Sequence, residues 1–282
     1  EGKKKAEVIE LEVPMSESMR DIQNAIMECV EVSISDLKKS NSGLEMEDWN
    51  LDSALHKQFD MVVRRQLDPV WHRVSWKTKQ IVNDLGVLRG MLHSLLTYDA
   101  VSFNRHLDTI LAAHSPPPGS TRQNQSPWLF LDAAHTIFDT AKRRVYTGKA
   151  AQGATESLDS LRPVLEEQPK WAVLAEVLEE IDRDLYFNPT VRDDSNGSIL
   201  IMCSDTNQCR QLRDYLQNMH VRTEATEKDG DEGAKHEPSA TVMMRRKLRN
   251  YFKWKKEFAK VSAELFKENQ NSLNGTTETK SS

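Results

Sequence analysis

The chain has no glycine-rich cradle for nucleotide phosphates. A GxxxxGK[ST] loop surrounds phosphates with backbone amides while its lysine reaches them, and no such string occurs in these 282 residues. The nearest piece, Thr147-Gly148-Lys149, lacks the upstream glycine, so ATP chemistry is not expected. Metal modules are missing too. The eight histidines are scattered, and none forms HExxH or a paired Cys/His unit. There is no GxSxG nucleophile elbow; Ser204 lacks the flanking glycines and reads as a helix cap. Cysteine is scarce. Cys29, Cys203 and Cys209 are odd in number and widely spread, which argues against a disulfide framework and fits a reducing compartment. All three read as small buried or half-buried apolar groups. No apolar run approaches the ~20 residues of a membrane-spanning helix, and the charged start EGKKKAEVIELEV lacks the middle of a secretion signal. No membrane partner is expected. The simplest reading is a cytosolic or nuclear piece of a longer protein, with no catalytic residue, metal or cofactor of its own.

What is present is mostly helical periodicity. Residues 6–13 partly alternate and read as a strand that Pro14 stops. Apolar stripes predict helices over about 17–39 (Met19, Ile22, Ile26, Val30), 51–67 (Leu55, Phe59, Val62, Val63), 78–96 (Ile81, Leu85, Leu88, Leu92, Leu95), and from Asp99 through Phe103, Leu107 and Ile110. Asp68-Pro69 breaks the second of these. HSPPPGSTRQNQSP reads as an exposed loop, and 128–145 as a further helix ending in KRRVY. Each helix is one-sided, so together they must hide a common core. Beyond it, a strong helix carries Trp171, Leu174, Leu178, Ile181 and Leu185. Ile199 to Met202 is apolar on both faces and suits a buried parallel strand. Ser204 or Asp205 can cap the helix through Cys209, Leu212, Leu216 and Met219. The strand-helix order is that of an α/β layer.

Net charge is only -5, so local patches carry the information. Residues 156–194 hold eleven acids against four bases, and 241–260 hold eight bases against one acid. Glu166-Glu167 and Glu179-Glu180 read as solvated helix faces rather than two-metal nuclease carboxylates, with Glu180 and Arg183 spaced for a surface pair. Three basic areas are candidate DNA contacts: Arg64 and Arg65, extended by Arg73, Lys77 and Lys79; Lys142, Arg143 and Arg144; and Arg245, Arg246, Lys247, Arg249 and Lys253, with Lys255 and Lys256 beyond. Bases attract phosphate whatever the sequence, and the interleaved Tyr251, Phe252 and Trp254 can stack on unpaired bases if exposed; the plainer alternative puts those aromatics in a core. Trp49, Trp71, Trp76 and Trp128 read first as core, and as protein-docking anchors where exposed.

Four blocks carry a family resemblance: FDMVVRRQLDPVWHRVSWKTKQIVNDLGVLRGML, SPWLFLDAAHTIFDTAKRRVY, PKWAVLAEVLEEI and ILIMCSDTNQCRQLRDYL. In order and spacing the chain resembles the XPF structure-specific DNA repair endonuclease subunits, with wording closer to a fungal member than to a vertebrate one. The resemblance implies a piece of the helicase-like module, in which a helical domain is inserted between two RecA-like lobes that no longer use ATP. The implied fold is mainly α, a helical domain with a partial α/β second lobe. On that map 1–14 end the first lobe, 15–146 are the inserted helical domain and 147–170 a linker. Residues 171–220 open the second lobe, 221–240 are a disordered insert, 241–269 a basic helix and 270–282 a disordered tail.

The resemblance further implies a nuclear parent protein that cuts DNA as a heterodimer in nucleotide excision and interstrand crosslink repair. Its divalent metal, and its contact with a smaller helix-hairpin-helix nuclease subunit, would belong to domains absent from this chain. The family's Glu-Arg-Lys nuclease signature and its helix-hairpin-helix glycines do not occur here. The expected role is therefore non-catalytic: engaging branched or forked DNA and docking repair partners. The alternative is an interaction platform for a repair scaffold protein without significant DNA affinity.

Overall fold

A computed structural model describes residues 5–41, 49–56, 58–114, 125–148, 161–188, 197–220 and 238–275. Its first helix, α1 (Glu17–Ser40), starts where Ser16 accepts a hydrogen bond from the Met19 backbone N–H at 3.2 Å, satisfying one of the free amides of a helix start. Met19, Ile22, Ile26, Cys29, Val30, Ile34 and Leu37 turn one face inward. That face packs on α4 (Trp76–Thr97) and α6 (Asp132–Val145). Between α1 and α4 the expected single helix is two: α2 (Leu51–Ala54) and α3 (Gln58–Leu67), followed by a 3-10 helix over Asp68–Arg73 with Pro69 in its first turn. Phe59 and Val63 point inward as expected, whereas Val62 is exposed.

Helix α4 begins at Ser75, which accepts from the Thr78 backbone N–H at 3.2 Å. It buries Ile81, Leu85, Leu88, Met91 and Leu95. Helix α5 (Ala100–His114) starts at Asp99, which accepts from Ser102 through backbone N–H at 2.8 Å and hydroxyl at 2.7 Å. A short 3-10 helix (Pro127–Phe130) separates α5 from α6, so the expected helix at 128 begins only at Asp132. Full burial of each large apolar side chain contributes roughly 1.5–3 kcal/mol, and this core runs from Met19 to Ala141.

One polar knot is sealed inside it. Ser126 Oγ donates to Asp84 Oδ1 at 2.7 Å, Gln80 Nε2 donates to the same oxygen at 2.9 Å, and His114 Nδ1 lies 3.1 Å from Ser126 Oγ. These bonds tie α4, the end of α5 and the chain before α6. Burial holds the Asp84 carboxyl above its usual range, although the hydrogen bonds oppose this.

A second core grows from the far side of α5. Ala100 and Val101 join Val145, Trp171, Tyr215, Met243, Met244, Leu248 and Tyr251. It is assembled from α7 (Pro169–Phe187), α8 (Thr206–Asn218) and α9 (Thr241–Gly275), with Trp171 stacked on Tyr215 at 5.4 Å between centroids. Strands β1 (Tyr146–Thr147) and β2 (Arg162–Pro163) form a two-stranded antiparallel ladder at its rim. Leu165 adopts a left-handed φ of 49°, which lets the amides of Val164 and Leu165 both donate to Val145 O, at 2.9 and 3.1 Å. Next come three anchors. Glu166 meets Arg144, Glu167 accepts from the Ala240 amide at the start of α9, and the Gln168 amide donates to Leu95 O at 3.3 Å and to Tyr98 O.

The chain is mainly α, a helical domain carrying a small, unclosed α/β part. Two strand expectations need correction. Residues 6–13 form no ladder, and Val8, Ile9 and Leu11 are exposed. Ile199 to Met202 is not a buried strand: Leu200 is 84% and Met202 86% exposed. A strand exists only when a neighbour takes its backbone groups, and no such neighbour stands beside either segment among the described residues. Helix α9 continues to Gly275, past its expected end at 269. The insert at 221–237 and the end at 276–282 lie outside the described residues.

Candidate nucleic-acid interface

Helix α9 separates its charges by face. Met243, Met244, Leu248 and Tyr251 point into the second core, with Phe252 and Trp254 packed against it. The Tyr251 hydroxyl donates to Asp108 and receives the Asn104 amide at 3.3 Å, and Arg105 lies over the Trp254 ring at 4.6 Å. Of the two readings open for these three aromatics, base stacking and core packing, the structure has the core one. Burial and the adjacent Asp108 carboxylate push the Tyr251 phenol far up, so it stays protonated.

The bases divide in the same way. Arg246 Nη2 donates to both carboxylate oxygens of Asp214 of α8, at 2.6 and 2.7 Å. Lys247 reaches the buried Asp99 carboxylate at 3.2 Å, where Gln211 of α8 also donates at 3.1 Å. These two expected DNA contacts are holding α9 to α5 and α8. Arg245, Arg249 and Lys253 stay exposed and have no ion-pair partner among the described residues. Lys256 and Lys260 are exposed likewise and follow at the same helical spacing. The five positions step by four, four, three and four residues, which puts them on one face. The stripe is about 22 Å long at 1.5 Å per residue. Lys260 is absent from the basic areas read from the sequence, although its spacing was the signal that could have found it.

On α6, Lys142 and Arg143 are exposed, Lys142 over the Tyr146 ring at 5.4 Å. Arg144 is a correction. It is 2% exposed, and its guanidinium meets Glu166 in an ion pair inside the fold. Positions 137, 141 and 144 share a helix face, so Arg144 follows Ile137 and Ala141 inward. It is a clasp between α6 and the chain leading to α7.

The third area gathers on α3, the 3-10 helix and α4. Arg64, Arg65, Arg73 and Lys77 are exposed, and Lys79 is half-buried with its ammonium 4.7 Å from the Trp71 ring centroid. Trp49 and Trp128 are core as expected, but Trp71 is 39% and Trp76 55% exposed. A cleft of about 440 Å³ opens between Arg64, Trp71 and Lys79. Its Gly86 floor position is one that the sequence reading did not single out.

Other chemistry is thin. Among the described residues no group of three or more His, Cys, Asp or Glu side chains is placed to hold a metal ion. The cysteines split: Cys29 is buried, its thiol pushed up to about 12 by burial first and Glu28 second. Cys209 is exposed, against the expectation of at least partial burial. Burial, the neighbouring Cys209 and Asp205 hold the Cys203 thiol above its ordinary value, the opposite of what an activated nucleophile needs. Arg183 pairs with Glu179 at 3.3 Å rather than with Glu180.

No family model matches the chain. Individual relatives do. The DNA repair protein rad16 of Schizosaccharomyces pombe is 42% identical over 266 residues, 94% of this chain and 28% of its own length. The DNA repair endonuclease UVH1 of Arabidopsis thaliana is 36% identical over 75% of this chain and 25% of its own length. The DNA repair endonuclease XPF of Cricetulus griseus is 38% identical over 75% of the chain and 23% of its own length. The chain thus spans about a quarter of the length of these relatives. With a mainly helical fold and agreement sustained over most of its residues, the chain belongs to the XPF family of DNA repair endonuclease subunits and is a helicase-like region of such a subunit.

Proposed function

We propose that this region engages branched or forked DNA and docks repair partners without performing chemistry itself. One observation carries the reading: α9 presents Arg245, Arg249, Lys253, Lys256 and Lys260 along one exposed face while Arg246 and Lys247 are consumed in ion pairs. A row of exposed cations on a rigid helix suits a phosphate backbone and is indifferent to base identity. Arg64, Arg65, Lys142 and Arg143 are further exposed contacts in this reading, and Arg144 is not. The parent protein would be a DNA repair endonuclease, as its relatives' names suggest, and in this reading a nuclear, structure-specific one acting in excision and crosslink repair. Its metal site and its smaller helix-hairpin-helix partner would be held by domains outside this chain. Residues 1–14 and 171–220 would belong to the two RecA-like lobes, with 15–146 inserted between them.

The test is binding of a labelled fork at two salt concentrations, comparing the chain with a triple variant R245Q, R249Q and K253Q. Affinity should drop at low salt, and the slope of log K against log salt should shrink by roughly one unit for each phosphate left without its cation. Unchanged affinity and slope would remove DNA from the reading.

A second reading, docking of a repair scaffold protein with little DNA affinity, has its own support. Leu185, Tyr186 and Phe187 at the end of α7 are exposed together, and clustered aromatics anchor protein partners. A double variant Y186A and F187A should then lose scaffold capture while fork binding stays as it was.

A further inference from the structure

The cleft beside Trp71 has features that a phosphate stripe does not need. Three kinds of group meet there: an indole left 39% exposed, the cations Arg64 and Lys79, and the exposed amide of Asn83. A duplex backbone calls for the cations alone. An aromatic ring beside them is what unpaired bases use, because every base has a face to stack and a phosphate to neutralise. We infer that this cleft receives one unpaired nucleotide, its base on Trp71 and its phosphate between Arg64 and Lys79. The inference rests on the DNA-engaging reading and adds to it a place for single-stranded nucleic acid.

Three observations support the assignment. The volume, about 440 Å³, falls in the range of about 300–1,000 Å³ for small-ligand sites. The lining carries two bases, Arg64 and Lys79, against one acid, Asp68, and neither base has an ion-pair partner among the described residues. The floor is bare, since a Cβ built on Gly86 meets nothing within 4 Å, so a flat base can lie against helix backbone. The Lys79 ammonium now sits at the indole ring. An exposed cation–π contact is weaker than base stacking on tryptophan, so an arriving base displaces the ammonium, which then pairs with the phosphate.

The experiment uses the whole chain and two labelled forks that differ only in their unpaired arm, one oligothymidylate and one abasic. The wild type should prefer the base-bearing arm by about ten-fold. Trp71→Ala removes the stack. Gly86→Leu fills the cleft from an open helix position without touching any charge, so its fold should persist, as circular dichroism will show. Both should lose the preference while keeping the salt-dependent affinity for the abasic fork. Equal binding of the two forks by the wild type, or a preference that survives both variants, overturns the inference, and does so even where R245Q, R249Q and K253Q still weaken fork binding and the DNA reading stands. Capture of polyglutamate by the wild type but not by Trp71→Ala, with no preference between the forks, overturns it in favour of an acidic protein segment. Failure of the wild type to bind either fork overturns both readings together.

Discussion

Asp84 shows what a single buried carboxylate does to pH dependence. Its folded pKa is raised by burial, so between the ordinary carboxylate value and that raised value the native chain keeps a proton that the unfolded chain has released. Stability therefore falls as pH rises through that interval. Asp84→Asn removes the titration while leaving an acceptor for Ser126 and Gln80. Its thermal midpoint should lose that part of the pH slope; an unchanged profile would show that Asp84 titrates alike in both states. Arg144 makes the complementary point. Arg144→Ala should cost about 3–5 kcal/mol in chemical denaturation, because the buried clasp loses a partner, and a surface-like change below about 0.5 kcal/mol would place the side chain outside the fold. The triplet Lys142-Arg143-Arg144 looks uniformly basic in sequence, yet its third member lies one turn beyond Ala141 on the buried face. Composition alone assigns it to solvent; helical phase assigns it to the core.

Helices were readable because each carries its own evidence. Ser16, Ser75, Asp99 and Asp205 each accept from an amide in the first turn of the helix they precede, and the apolar stripes of α1 and α4 lie inward. Strands carried no comparable local proof. Ile199 to Met202 has the composition of a strand, but only pairing makes one, and pairing is a property of two segments. The faces of α9 were half legible: the spacing of Arg245, Arg249 and Lys253 is in the sequence, whereas the carboxylates that claim Arg246 and Lys247 sit 32 and 148 positions away. The Trp71 cleft was less legible still, since its emptiness at Gly86 is a statement about neighbours. Two changes test the elements. Ser75→Ala should cost about 1 kcal/mol by removing the cap of α4. Tyr251→Phe should cost about 1–3 kcal/mol by leaving Asp108 and Asn104 without the hydroxyl. Either change is read from the denaturation midpoint, and a neutral Tyr251→Phe would mean that the Tyr251 hydroxyl adds nothing to the hold on α9.

At the scale of the molecule, two cores share one helix. Phe103, Leu107 and Ile110 of α5 face the first core, and Ala100 and Val101 the second. Asp99 adds the polar half of the joint, receiving Ser102, Gln211 and Lys247 from three helices. Loosening either core uncovers α5, so calorimetry should show one transition; two resolved transitions would mean that α7 to α9 let go independently. A helix enclosed on both sides has no partial opening of its own. In deuterated buffer the amides of 103–110 should thus be the last to exchange, at a rate set by unfolding of the whole chain, while those of the exposed segment 198–203 exchange at once.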